Sequence, residues 1–224
     1  MNKKVQRPGV RAGYDQWAET YDTTANPLVA LDRRHTLPLL RPRVGELILD
    51  AGCGTGWNLR SLALADSRPV GIDFSRGMLS TARRNMPNVP LAQADLNQML
   101  PVRERVFDAA LCALVGEHLT NLPLTFRELC ASLAPGGRLV FSVFHPEMAA
   151  AGIEANFERG GVEYRLGAYH YTVEDYLTVI EDSGFRGIKC YEFYGDNDLV
   201  DTVPWATKYL GQPLLLAIEA RKRI

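Results

Sequence analysis

Nowhere in these 224 residues does an apolar run approach the roughly eighteen needed to span a membrane, and the first twenty hold no signal-peptide core. Charge of one sign is missing too: 25 Lys+Arg stand against 26 Asp+Glu, a formal net charge of −1, with no block of like-signed residues. That excludes a chain whose main business is gripping nucleic acid or an anionic membrane through the phosphate field. Cysteine is scarce and scattered. Cys53, Cys112, Cys130 and Cys190 form no CxxC and no Cys/His cluster at metal-ligand spacing, so no metal site and no disulfide framework is expected. Internal repeats, low-complexity tracts and linkers are absent as well. With 46% hydrophobic residues the expectation is a single cytoplasmic unit over 1–224 with reduced thiols and a sizeable core. Residues 1–8, polar and basic, are expected to fray.

What is present is alternation. Tyr14, Trp17, Ala18 and Tyr21 are spaced for one face of a helix. Asn26-Pro27 reads as a cap plus first helical residue, opening a second short helix with Leu28, Leu31 and His35 on one side. Together they predict an N-terminal helical lid over 9–41. Strands then follow at 47–49, 69–74, 89–94, 107–113 and 138–144, separated by helices at 57–65 and 75–85 and by one marked by Leu122, Phe126, Leu129 and Leu133. Strands apolar throughout belong to a parallel sheet covered on both faces, so the fold class is α/β, doubly wound and Rossmann-like. Residues 145–171 are polar and contain glycine; that length predicts a substrate-side insertion after the fifth strand. Thr172-Val173-Glu174-Asp175 is a capping box, with Val173, Tyr176, Leu177 and Ile180 as the apolar face of a helix that Gly184 ends. Strands at 189–194 and 214–220, read with no helix between them, complete a seven-stranded, mostly parallel sheet with an antiparallel C-terminal strand.

The loop Asp50-Ala51-Gly52-Cys53-Gly54-Thr55-Gly56 falls between a strand and a helix, where an open α/β sheet binds its ligands. A dinucleotide fingerprint requires glycine at position 57, and Trp57 stands there; a phosphate loop requires a lysine that is absent. Asp73 ends the second strand, placed to take both hydroxyls of a ribose. Asp95 follows the third, placed to accept from an exocyclic amine, with Phe74 and Leu96 as apolar walls for a ring. Each aspartate alone is as readily a turn cap. Three carboxylates ending three successive strands beside a glycine loop point to an adenosine without a diphosphate.

These residues, with Gly71-Ile72-Asp73-Phe74-Ser75, Met78-Leu79, Ala94-Asp95, Phe107-Asp108 and Leu133-Ala134-Pro135-Gly136-Gly137-Arg138-Leu139, resemble the ordered motifs of class I S-adenosylmethionine-dependent methyltransferases. The small-molecule branch of ubiquinone/menaquinone and malonyl-carrier methyltransferases is the most similar, and the element from Tyr14-Asp15 to Tyr21-Asp22 resembles it too. The resemblance covers residues 14–144. It implies S-adenosylmethionine as cofactor, bound among Asp50, Gly52, Cys53, Gly54, Asp73, Phe74, Met78, Asp95 and Leu96: Gly52 and Gly54 would bring backbone to its methionyl part, Asp73 would hold the ribose, and Asp95 and Leu96 the adenine. Backbone near Cys112 would meet the methionyl amine, and Tyr14 and Tyr21 would form a lid over a weakly hydrated sulfonium.

Methyl transfer from a sulfonium demands alignment, exclusion of water and sometimes removal of a proton. Base candidates are His145, whose direction Pro146 fixes at the ligand edge of the sheet, and His118 in Gly116-Glu117-His118. Tyr169 and His170 are candidates for binding substrate, and Phe157, Tyr164, Arg159 and Arg165 suit a small aromatic or anionic molecule. The expected partner is a small-molecule methyl acceptor, with neither nucleic acid nor membrane involved. The predicted reaction is methyl transfer to O, N or C of that metabolite. The alternatives are use of the bound cofactor for other chemistry and a non-catalytic cofactor-binding module. A nicotinamide-dependent oxidoreductase is the rival at the level of fold, and Trp57 counts against it.

Overall fold

The computed structural model describes residues 4–223. Its elements run β1 (Lys4–Gln6), α1 (Val10–Trp17), α2 (Pro27–Leu40), β2 (Leu47–Ala51), α3 (Trp57–Leu64), β3 (Arg68–Asp73), α4 (Arg76–Asn85), β4 (Leu91–Gln93) and β5 (Phe107–Ala113). They continue through α5 (Leu122–Ser132), β6 (Leu133–Phe144), α6 (Pro146–Ala150), β7 (Asn156–Arg159), β8 (Val162–Arg165), α7 (Val173–Asp182), β9 (Phe185–Tyr194), α8 (Asn197–Thr202) and β10 (Pro213–Lys222). Seven strands form one sheet in the order β4-β3-β2-β5-β6-β10-β9. Only β10 runs against the others, antiparallel to both β6 and β9. Residues 215–221 of β10 pair with β6, from Leu215 opposite Phe144 to Arg221 opposite Arg138.

Both faces of the sheet are buried at its central strands β2, β5, β6 and β10, which is why these are apolar at successive positions. On one face Leu49, Ala110, Cys112 and Phe141 pack against Phe126 and Leu129 of α5 and Tyr176 and Ile180 of α7. On the other, Ile48, Ala109, Leu111 and Val140 pack against Leu40 of α2 and Leu62 of α3. The chain leaves β2 toward β3 and β4, then resumes with β5 and β6 on the opposite side. The carboxyl ends of β2 and β5 therefore flank the crevice where ligands settle in such sheets.

Local chemistry sets the element ends. Asn26 caps α2, its Oδ1 accepting from Leu28 N at 2.9 Å, with Pro27 at the first helical position. Thr172 and Asp175 close a full capping box on α7. The reading departs from the structure in four places. Residues 4–6 of the segment expected to fray are strand β1, parallel to β8, because an edge of the insertion offers them backbone partners; residues 1–3 lie outside the described residues. The 145–171 stretch is not a bare loop: it contains α6 and the β7–β8 hairpin, turned by Gly160 and Gly161 at φ +58° and +75°. Between β9 and β10 stand α8, capped by Asp196 accepting from Leu199 N, and a 3-10 turn at Pro204–Tyr209, where no helix was read. Finally β6 begins at Leu133, not residue 138, since its glycine-containing start already pairs with Phe107.

Candidate active site

The chain turns out of β2 at Gly52, with φ +85°. A Cβ there would come within 2.5 Å of Val115 Cγ1, so only glycine lets the loop lie against the segment that follows β5. Four of the loop's amides are spent within the protein. Gly52 N and Cys53 N donate to Ile72 O, Gly56 N to Cys53 O, and Gly54 N to Asp73 Oδ2 at 2.9 Å. A loop committed in this way, with no lysine, is not a phosphate cradle.

Asp73 is the second anchor. Its Oδ1 accepts from Ser75 N at 2.8 Å, and each of its oxygens keeps a lone pair beyond the backbone bond it accepts. Burial pushes its carboxyl up to about 6, against the lowering effect of those two N–H groups. Asp95 accepts from Asn97 N at 3.0 Å and from Arg11 at 3.3 Å, and the Arg11 guanidinium lies 5.5 Å from the Phe74 ring centre.

Tyr14, Tyr21, Gly52, Cys53, Gly54, Asp73, Phe74, Met78, Asp95, Leu96 and His118 line one cavity over this loop. The lining also includes Asp32, Arg33, Asn58 and Val115, which the sequence did not single out, and Trp57, which it read only as breaking a dinucleotide fingerprint. Trp57 carries the Arg33 guanidinium 3.6 Å over its ring, and Asp32 accepts from Thr36 at 2.5 Å and Ser142 at 2.6 Å. A second cavity adjoins the first, sharing Tyr14, Tyr21, Val29 and Leu114 with it. At the junction Tyr14 and His118 share a hydrogen bond of 3.0 Å between the hydroxyl and Nε2. Burial lowers the affinity of His118 for its proton and raises that of Tyr14, so near neutral pH the pair is uncharged.

Asp50, Cys112, His145, Tyr169 and His170 line neither cavity. Asp50 is fully buried beneath the loop with both carboxyl oxygens unpartnered, and burial, then the nearby Asp73, pushes it up to about 8. Cys112 is enclosed in β5, one residue before cavity-lining Ala113. His145 is 1% exposed; its Nδ1 accepts from Glu147 N at the start of α6 and its Nε2 lies 3.8 Å from Glu192. A proline that fixes chain direction has made it a helix cap facing inward. Tyr169 and His170 are exposed, the former tied by its amide to Glu117 O. Arg159 and Arg165, read as favouring an anion, line neither cavity; Arg159 is engaged by Glu19, and Arg165 by Glu163 and by Glu154, which does line the second cavity.

The model of a methyltransferase domain matches residues 49–141, from β2 into β6. A protein of Emericella nidulans described as an uncharacterized methyltransferase is 33% identical over 217 residues, covering 77% of this chain and 74% of its own length. The crystal structure of an S-adenosylmethionine-dependent methyltransferase from Mesorhizobium loti superposes with a TM-score of 0.74 at 26% identity, over 88% of this chain and all of that one. This chain belongs to the S-adenosylmethionine-dependent methyltransferase family. The match to the demethylmenaquinone methyltransferase of Corynebacterium kroppenstedtii, 35% identical over 136 residues, spans 58% of each protein. The cofactor of the methyltransferase family suits what the loop offers: a close backbone approach with most amides already engaged and no lysine, and an acidic strand end with spare lone pairs.

Proposed function

We propose that this protein transfers the methyl group of S-adenosylmethionine to O, N or C of a small molecule held in the second cavity. The observation that carries the reading is the meeting of two cavities at Tyr14, Tyr21, Val29 and Leu114, one over the glycine loop and Asp73, the other walled by aromatic side chains. The bound cofactor supplies a methyl on an electron-poor sulfur, a leaving group needing no further activation.

The chain's own residues do the rest. Gly52 and Gly54 bring backbone close to the methionyl part, Asp73 accepts from the two ribose hydroxyls, and Leu96 and Phe74 wall the adenine, whose amine donates to Asp95. The 9–41 segment acts as a lid: Tyr14 and Tyr21 close the space over the reacting atoms and exclude water. His118, neutral and joined to Tyr14, takes at Nε2 any proton the acceptor sheds. His145, turned inward as a helix cap, takes no part.

Parallel calorimetric titrations with S-adenosylmethionine, S-adenosylhomocysteine and NAD test the cofactor. Micromolar binding of the two S-adenosyl ligands alone, about −8 kcal/mol, is expected. Binding of NAD alone would overturn the reading. Methyl transfer to an acceptor should then drop in His118→Gln with the S-adenosylhomocysteine affinity retained.

A further inference from the structure

The second cavity, about 370 Å³, is of small-ligand size, and its charged lining is of one sign. Glu117, Glu154 and Glu158 face it; among the described residues no lysine, arginine or histidine does. Glu154 is already engaged, by Arg7 at 2.8 Å and Arg165 at 3.9 Å. Glu117 is the exception. It is 5% exposed, its Oε2 has no hydrogen-bond partner, and its Oε1 lies 3.9 Å from Nε2 of the uncharged His118. Its backbone is held in place, because its carbonyl accepts from Tyr169 N at 2.8 Å. A carboxyl group kept from water with an unfilled acceptor is stabilised by a cation or an N–H donor, and nothing else lining the cavity supplies the cation.

The walls around it suit the same ligand. Trp17 stacks on Phe157 at 5.1 Å and 17° and lies T-shaped to Tyr21 at 4.9 Å, so a braced aromatic cluster lines the space. A ligand carrying its own carboxylate would meet Glu117 in a cavity with no basic residue to offset the repulsion. The unpartnered side-chain donor on this wall, Trp17 Nε1, is neutral and matches an oxygen or ring nitrogen elsewhere on the ligand.

We propose that the methyl acceptor is an organic amine, its N–H groups bound by Glu117 and its body lodged among Trp17, Tyr21 and Phe157. This rests on the methyl-transfer reading above. The amine gives up its ammonium proton to the Tyr14 hydroxyl, which lines both cavities, as that hydroxyl passes its own proton to His118 Nε2 across their 3.0 Å hydrogen bond. Its freed lone pair forms the N–C bond as the C–S bond breaks with its electron pair remaining on sulfur. Glu117 thus sets specificity, and the positive charge that leaves sulfur reappears on the methylated nitrogen beside it.

Three probes of one shape and different charge test this: 2-phenylethylamine, 2-phenylethanol and 3-phenylpropanoate. Each is titrated into the protein saturated with S-adenosylhomocysteine, following the fluorescence of Trp17 and Trp205 on the cavity wall together with the heat. The amine should bind at least tenfold tighter than the alcohol, and the carboxylate not at all. In Glu117→Gln, a change of one atom, that advantage should fall to near unity. Failure of the amine to bind, equal binding of the three, preference for the carboxylate, or an advantage that survives in Glu117→Gln would each overturn the amine site. The preceding titration separates the two claims: a protein that does not take up S-adenosylhomocysteine refutes the methyl-transfer reading, whereas one that takes it up but ranks the probes otherwise refutes the amine alone.

Discussion

Asp73 is where a single side chain decides most. It braces the glycine loop through Gly54 N and caps the turn into α4 through Ser75 N, so it is positioned before any ligand arrives. Two ribose hydroxyls donating to it would be hydrogen bonds to a charged group, about 1.5–3 kcal/mol. Asp73→Ala should therefore weaken S-adenosylhomocysteine binding by roughly 10- to 150-fold in calorimetry, and unchanged affinity would remove the assignment. The sign of the pH effect follows: the hydroxyls favour the ionised carboxylate, so affinity of the wild-type protein should fall as pH drops through about 6, and stay flat in Asp73→Ala. This residue and the glycine spacing were legible in the sequence because each sits at the end of an apolar strand, where a polar residue is conspicuous. Asp32, Arg33 and Glu117 were not. Asp32 lies within a helix whose buried face also includes Leu31 and Thr36, and nothing in the pattern separates it from a solvated charge. His145 misled for the opposite reason, since proximity to the sheet edge in sequence does not say which way a side chain faces.

Among the elements, α1 is held to the half of the sheet that carries the glycine loop by two carboxylates, Asp95 with Arg11 and, more closely, Asp15. Asp15 Oδ1 accepts from Ser75 Oγ at 2.6 Å and from Gly77 N at 2.8 Å, joining α1 to the N-terminus of α4, where the helix dipole favours a negative charge. The fit is close, for a Cβ on Gly77 would meet Asp15 O at 2.7 Å. Asp15→Ala removes both bonds without touching the cavity lining. Losing about 1.4 kcal/mol of closure corresponds to a tenfold faster release of S-adenosylhomocysteine, measurable by stopped-flow. An unchanged release rate would show that α1 does not gate the cofactor. Elements of local origin were readable: caps at Asn26 and Thr172, and the sheet alternation from residue 47 onward. Elements made by distant partners were not. β1 has three residues and no apolar pattern; it is a strand only because Val162–Arg165 lies beside it, some 160 residues away in the chain. The hairpin left a stronger trace, Gly160-Gly161, but the insertion's mixed polarity concealed the strands on either side.

At the scale of the whole molecule, the pH response of stability is set at the centre of the sheet. Asp50 pairs with Gly71 on one side and Leu111 on the other, with both carboxyl oxygens unpartnered. Burial raises it to about 8, so below that pH the native state retains a proton that the unfolded chain releases. Stability contributed by this group is fully present below the unfolded value near 3.8 and is lost as pH rises through about 8. His118 and His35, lowered by burial, act in the opposite sense, but only as pH falls below about 6.5. Asp73, raised to about 6, has already completed most of its loss by then. The window from pH 6.5 to 8 is therefore where Asp50, raised furthest of the buried aspartates, weighs most; Asp32, raised by burial too, acts in the same direction. Across 1.5 pH units one retained proton amounts to about 2 kcal/mol, or about 4–8 °C in Tm for a chain of this size. Calorimetric scans of the ligand-free protein should show that decline, and Asp50→Asn, which keeps the shape but cannot titrate, should remove most of it. A Tm that holds steady or rises over this window in the wild-type protein would mean that Asp50 is ionised in the native state and balanced by a cation not yet identified beneath the loop.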